Sequence, residues 1–298
     1  MAPVTHQSRS APQRARPALA DRVPPHAFFL VSAVFHYLGP AFAALLFGQV
    51  DVLGVAWLRI AGAALVFAMW RGPRRLLAGM TAGAPFTLIQ LGVVLAAMNA
   101  CFYLAIARLP LGTVGAIEFL GPLGLAAAGM RSRRNVAALG LAAAGVYLLT
   151  DVRIAGEPLG FVFAFANAAL FVAYVVLGHR VARAGGAAGV DRLGLAMLIA
   201  ALAITPAGLS GAVPTFSEPL LLGAGIGVGI CSSVIPYVSD QLAMARLPRS
   251  TFALLLSILP ATATLIGVLV LGQVPTGVEI AGVLLVVGGV AVHEVAEG

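Results

Sequence analysis

Lysine is absent from this chain: all eighteen basic residues are arginines, and charged residues of both signs fill only 10% of its 298 positions. Soluble domains carry about 25% charged residues, so the scarcity excludes an ordinary water-soluble fold. Cysteine is almost as rare. Cys101 and Cys231 both fall in apolar stretches without flanking ligand residues, which argues against a disulfide framework or a thiolate metal site and leaves them as small apolar packing residues. Catalytic signatures are missing too. No GxSxG, HExxH, P-loop or paired-carboxylate motif occurs, and the five histidines are scattered. The chain therefore reads as a non-enzyme that calls for no cofactor and no metal.

What fills the sequence instead is hydrophobic: 60% of the residues, with a mean hydropathy of +1.01. Apolar runs of about 20 residues recur, the length that crosses a bilayer as a helix. The roughly ten-residue alternation of a membrane barrel is absent. Residues 1–25, rich in Pro, Ala, Ser and Arg, read as a disordered basic tail. The first apolar run exceeds the core of a signal peptide and reads as an uncleaved span despite the Ala-Phe-Ala at 41–43. Runs and breakers predict ten spans near 26–47, 53–70, 82–106, 111–130, 135–150, 158–180, 190–208, 217–239, 250–271 and 275–292. The fifth is the shortest. With the amino terminus inside, fifteen arginines fall on the cytoplasmic side, Arg108 and Arg153 fall outside, and Arg59 lies within a span. That bias predicts cytoplasmic termini. It also accounts for the formal charge of +7 without nucleic acid as a partner.

One phrase occurs twice. Ala-Arg-Leu-Pro-x-x-Thr at 107–113 returns at 245–251, and each copy is followed by a proline nine residues after the threonine, Pro122 and Pro260, at an offset of 138 residues. The fold class predicted is an all-α membrane protein of ten transmembrane helices in two inverted five-helix repeats, residues 26–150 and 158–292. An odd number of spans per half forces the second copy to enter from the opposite side. Inverted repeats mark secondary transporters, whose site lies near the midplane, although passive channels carry them as well. Gly225 with Gly229, and Gly223 with Gly227, form GxxxG spacings, which suit close helix packing or a homodimer.

The copies differ in their chemistry. Glu118 stands about seven residues into the fourth span, and its counterpart is Leu256. Intramembrane acids are functional candidates by default. Pro122 has no N–H for the carbonyl of Glu118, and Pro260 likewise frees the carbonyl of Leu256. Arg59 lies at a matching depth in the second span. Two readings stand: an Arg59–Glu118 ion pair that ties helices, or an Arg59 that receives a substrate carboxylate while Glu118 faces an ammonium group or exchanges a proton. Further candidates for the same cavity are His36 and Tyr37 before the Gly39-Pro40 bend, Asn99 with Tyr103, Asn167 with Tyr174, and Ser232, Ser233, Pro236 and Tyr237 on the eighth span. Each alone is more often an interhelical hydrogen bond than a ligand. Asp240 is expected at the interface, paired with Arg246.

With ARLPLGTVGAIEFLGPLGLA and CSSVIPYVSDQLAMARLPRSTFALLLSILPA on the page, the chain resembles the drug/metabolite transporter superfamily, EamA type, and within it the subgroup of bacterial threonine/homoserine exporters. The resemblance covers roughly residues 28–292. It implies a multi-pass protein of the bacterial inner membrane that exports small amino acids or related metabolites by alternating access, driven by proton entry. Two acids usual in that pattern are missing, since Leu259 and Gln273 stand in their places. A permease for an unrelated metabolite, or a structural or receptor-like membrane protein without transport, stays open at this point.

Overall fold

A computed structural model describes residues 23–76, 85–128, 133–151, 157–183, 186–247, 252, 255–256 and 259–292. Most of the expected basic tail lies outside them. Among the described residues ten longer helical segments follow in chain order: α1 (Pro25–Ala44), α2 (Val52–Arg71), α3 (Pro85–Ile106), α4 (Leu111–Ala128), α5 (Arg133–Asp151), α6 (Pro158–Ala182), α7 (Gly186–Ala212), α8 (Pro219–Met244), α9 (Leu259–Leu271) and α10 (Gly277–Val292), with a short 3₁₀ turn, Val213–Ser217, between α7 and α8. Among the described residues all regular structure is helical.

Local chemistry sets the ends. Prolines open α1, α6 and α8 in the first turn, where a missing N–H leaves nothing unsatisfied. Asp51 caps α2 by accepting the Leu53 and Gly54 N–H groups at 3.0 and 3.4 Å. Thr276 and Glu279 form a reciprocal capping box at α10, 2.7 and 3.2 Å. Gly72 and Gly272, at φ of +80° and +63°, end α2 and α9 in the left-handed turn that glycine enters freely.

Six helices are long and apolar enough to cross a bilayer, α1, α2, α3, α6, α7 and α8, and shorter apolar stretches lie in α4, α5, α9 and α10. Large hydrophobics such as Leu30, Trp70, Phe86, Leu202 and Leu220 are exposed on the outside, as lipid contact requires. This is an all-helical, multi-pass membrane protein. The principal packed pairs are α5 with α10, α2 with α7, α4 with α9, α3 with α6 and α7, α8 with α1 and α2, α4 with α6, and α9 with α1.

Two glycine positions bring the centre together. A β-carbon on Gly39 would collide with Ser232, backbone included, and one on Gly229 would lie 2.7 Å from the Arg59 carbonyl. The Gly225–Gly229 pair therefore packs inside the chain against α2, while Gly223 and Gly227 meet nothing within 4 Å.

One expected boundary is wrong. The eighth span runs on to Met244, because a five-residue π turn, Ile230–Val234, is followed by a helix with Pro236 in its first turn. Asp240 is consequently buried, 4% exposed. It faces the protein interior and does not pair with Arg246, which instead donates to the Val23 carbonyl at 2.8 Å. The expected start of the ninth span falls largely outside the described residues.

Candidate functional site

Four helices, α1, α2, α4 and α8, bring the charged groups inward, and the prolines explain how. A proline denies the carbonyl four residues earlier its helical N–H. Pro40 does this to His36, Pro122 to Glu118 and Pro236 to Ser232, while Pro260 does it to Leu256. The Ser232 carbonyl shows the use made of such a group: it accepts Arg59 Nη2 at 2.6 Å. Helices α1 and α4 continue through Pro40 and Pro122. The π turn before Pro236 and the start of α9 beside Pro260 are the visible irregularities.

Glu118 is 2% exposed. Burying a carboxylate carries a penalty of several kcal/mol, so its oxygens need partners. Tyr37 donates its hydroxyl to Oε2 at 2.9 Å, and Asn167 Nδ2 donates to Oε1 at 2.9 Å. His36 Nε2 lies 3.5 Å from Oε2, an ion pair when the imidazole is protonated. Tyr37 reaches the carboxylate past Gly115, whose missing side chain leaves room for the phenol.

Arg59, 3% exposed, is held differently. Its Nε donates to Ser233 Oγ at 2.9 Å, and Nη2 also reaches the Tyr237 hydroxyl at 3.5 Å. The guanidinium sits 5.3 Å from the Tyr103 ring centre, a cation–π contact. Asn99 Nδ2 braces the Tyr237 hydroxyl at 3.3 Å. Every hydrogen-bond partner of Arg59 is a neutral oxygen. Among the described residues the ion pairs are His36–Glu118 and Arg71–Asp191, so the expected Arg59–Glu118 ion pair does not form.

Both charges nevertheless line one cavity of about 10 Å³, with His36, Asn99, Asn167 and Tyr237, closed by Met98 and Phe102. That is room for about one water molecule. Tyr174 lies elsewhere: its hydroxyl donates to Asp240 Oδ2 at 2.8 Å, and Ser32 Oγ donates to Oδ1 at 2.5 Å. Asp240 and Ser32 are buried polar residues that sequence reasoning missed. The Ser-Asp-Gln run at 239–241 ended the apolar pattern just before the acid, and a helix lengthened by the π turn was the hidden signal.

A second cavity, of about 420 Å³, opens between the α3–α4 and α9–α10 connections beside Arg108, Thr113, Thr264, Gln273 and Glu279. Its polar groups serve structure. Gln273 Oε1 accepts the Leu111 N–H at 3.0 Å, Thr264 bonds the Pro260 carbonyl, Arg108 bonds the Leu104 carbonyl, and Glu279 belongs to the capping box. Among the described residues no three His, Cys, Asp or Glu side chains cluster as metal ligands would.

Known proteins share this architecture. The EamA-like transporter family matches residues 158–293. The threonine/homoserine exporter RhtA of Salmonella typhimurium (strain LT2) is 31% identical over 249 residues, 81% of each chain. RhtA of Escherichia coli (strain K12) is 31% identical over 248 residues, again 81% of each. A protein of known crystal structure, 21% identical, superposes with a TM-score of 0.57 over 90% of this chain and 96% of its own, which establishes the shared fold. On its helical membrane architecture and on relatives that match four-fifths of its length, the chain belongs to the EamA-like transporter family.

Proposed function

We propose that the protein is an inner-membrane secondary transporter that exports small amino acids, threonine- or homoserine-like, or related metabolites, by alternating access coupled to proton entry. The observation that carries this reading is the charge arrangement of the central cavity. Among the described residues Arg59 presents a buried guanidinium with no carboxylate partner, and across the same cavity Glu118 presents a carboxylate paired with a histidine. A buried unpaired cation is costly in a membrane. A substrate carboxylate at Arg59 offsets that cost, while the substrate ammonium takes the place of His36 at Glu118. An α-amino acid carries both groups.

A 10 Å³ cavity is far too small for an amino acid, so binding requires the surrounding helices to part. The packing supports two inverted five-helix halves as the moving bodies. Exchanging each helix for the one five places along turns α3–α6 into α8–α1, α3–α7 into α8–α2, and α4–α6 into α9–α1, all packed pairs. The pairs α2–α7, α4–α9 and α5–α10 map onto themselves. Asn99 and Tyr237, 138 residues apart like the two phrases, touch each other, as residues beside a two-fold axis do. Such repeats bracket a midplane site in secondary transporters, and the arginine bias favours cytoplasmic termini.

The test is counterflow in proteoliposomes with a panel of labelled amino acids, with and without an imposed pH gradient. Exchange of threonine, homoserine or a similar small amino acid, accelerated by the gradient, is the expected result. No exchange of any amino acid would sink the substrate class, and exchange indifferent to the gradient would sink proton coupling.

A further inference from the structure

We infer that Asp240 is a second proton-carrying carboxyl group, on the arginine-rich side of Glu118, and that the two acids exchange one proton per cycle. The inference rests on the transport reading for its place in the cycle, and on geometry alone for the site. Asp240 is buried, and its two oxygens accept hydrogen bonds from neutral hydroxyls, Ser32 and Tyr174. A hydroxyl can donate to a carboxylate or accept from a carboxylic acid, so both partners serve Asp240 whether it holds a proton or has released one.

Helices α1, α6 and α7 pack against the part of α8 that carries Asp240, and α6 also holds the buried His179, whose Nδ1 lies 2.9 Å from the Val175 carbonyl. From α1 come Ser32 and His36, and from α6 comes Tyr174, while Tyr237 lies one turn away on α8 itself. The guanidinium of Arg59 on α2 is committed to Ser232, Ser233 and Tyr237, and Asp191 on α7 is committed to Arg71. His36 stands one helical turn beyond Ser32, whose hydroxyl binds Asp240. The His36 imidazole is the ion-pair partner of Glu118.

Two helices carry both acids as rungs. Ser32 and His36 are four residues apart on α1, about 6 Å of rise, and Tyr174 and Asn167 are seven apart on α6, about 10 Å. The first of each pair belongs to Asp240 and the second to Glu118. Phe171 fills the interval, edge-on to His36 at 5.8 Å and stacked on Tyr174 at 5.7 Å. Tyr174 in turn packs against Tyr237 at 5.4 Å, and Tyr237 touches Arg59. An anion arriving at Arg59 is thus two aromatic contacts from the second acid. In the cycle, a proton that has neutralised Glu118 passes to the Asp240 carboxylate, which restores the Glu118 charge. It then leaves Asp240 for water on the arginine-rich side. One proton enters, one leaves, and both acids return to their starting charge.

The test compares wild type with Asp240→Asn, Asp240→Glu and Tyr174→Phe, each checked for a monodisperse fold in detergent. Infrared difference spectra over about pH 5 to 8 follow protonated carboxyl bands without any need for transport. Wild type should show a titrating band that Asp240→Asn removes, that Asp240→Glu restores at a shifted frequency, and that Tyr174→Phe moves in pH. In proteoliposomes the ratio of gradient-driven uptake to counterflow should fall at least tenfold in Asp240→Asn and recover in Asp240→Glu. A folded Asp240→Asn with the wild-type infrared titration or the wild-type ratio overturns the proposal. If wild type exchanges no amino acid, the transport reading fails, and the infrared titration still decides whether Asp240 carries a proton.

Discussion

Residues 107–122 and 245–260 carry the same phrase, yet they deliver opposite chemistry to the core. The first sets Glu118 against the central cavity. The second sets Leu256, its twin 138 residues on, in the apolar core at 3% exposure. The second half buries Asp240, on the preceding helix, and Glu279 in the α10 capping box, and the twin of Arg59 is Met197, fully buried and apolar. What the halves share is sequence breaks and packing: the Leu-Pro dipeptide, the later proline and the helix pairs. What they do not share is charge. On the transport reading proposed above, halves that differ in charge would present a substrate with two unlike walls, Arg59 on one and Glu118 with His36 on the other.

The comparison can be broken experimentally. Arg59→Ala should have the largest effect, because it removes a buried cation together with its whole set of polar contacts. A loss of about 3–5 kcal/mol corresponds to a rise in substrate KM of at least about a hundredfold, read in counterflow. Leu256→Glu, which makes the halves alike, buries an acid without a partner and should lower stability by about 3 kcal/mol, read as a drop in Tm in detergent. A wild-type Tm would mean that the asymmetry is incidental. The two GxxxG registers offer a finer contrast. Gly229→Ala drives a β-carbon towards the Arg59 carbonyl and should destabilise by about 1–3 kcal/mol. Gly227→Ala faces open space and should stay within about 0.5 kcal/mol. Smallest is Gln273→Ala, which leaves the Leu111 N–H at the start of α4 without its acceptor and should cost about 1 kcal/mol, seen as a small Tm shift.

The helices were legible in the sequence because apolar runs, arginine loops and prolines are strong signals in lipid. So was the company of Glu118 and Arg59: His36, Tyr37, Tyr103, Asn167, Ser233 and Tyr237 each touch one of the two, and Asn99 lines their cavity and bonds Tyr237. Their pairing was not legible. Depth along two spans shows that Arg59 and Glu118 lie level, and rotation about the helix axes then decides which neighbour each meets. Asn167 and Tyr174 look equivalent at a spacing of seven, yet one reaches Glu118 and the other Asp240, because the acids lie about two turns apart. Asp240 itself was hidden by a polar run that reads as a loop, and only a π turn keeps that run inside the helix.

The most direct test of two unlike walls is binding of charge-deleted ligands. Competition with a labelled small amino acid would compare the parent compound, its amide without the carboxylate, and its N-acetyl form without the ammonium, on wild type, Arg59→Ala and Glu118→Gln. Arg59→Ala should lose affinity for the parent and the N-acetyl form while binding the amide as wild type does. Glu118→Gln should lose affinity for the parent and the amide while keeping the N-acetyl form. Equal weakening of all three ligands in both variants would contradict the assignment of the two charges to the two ends of the substrate.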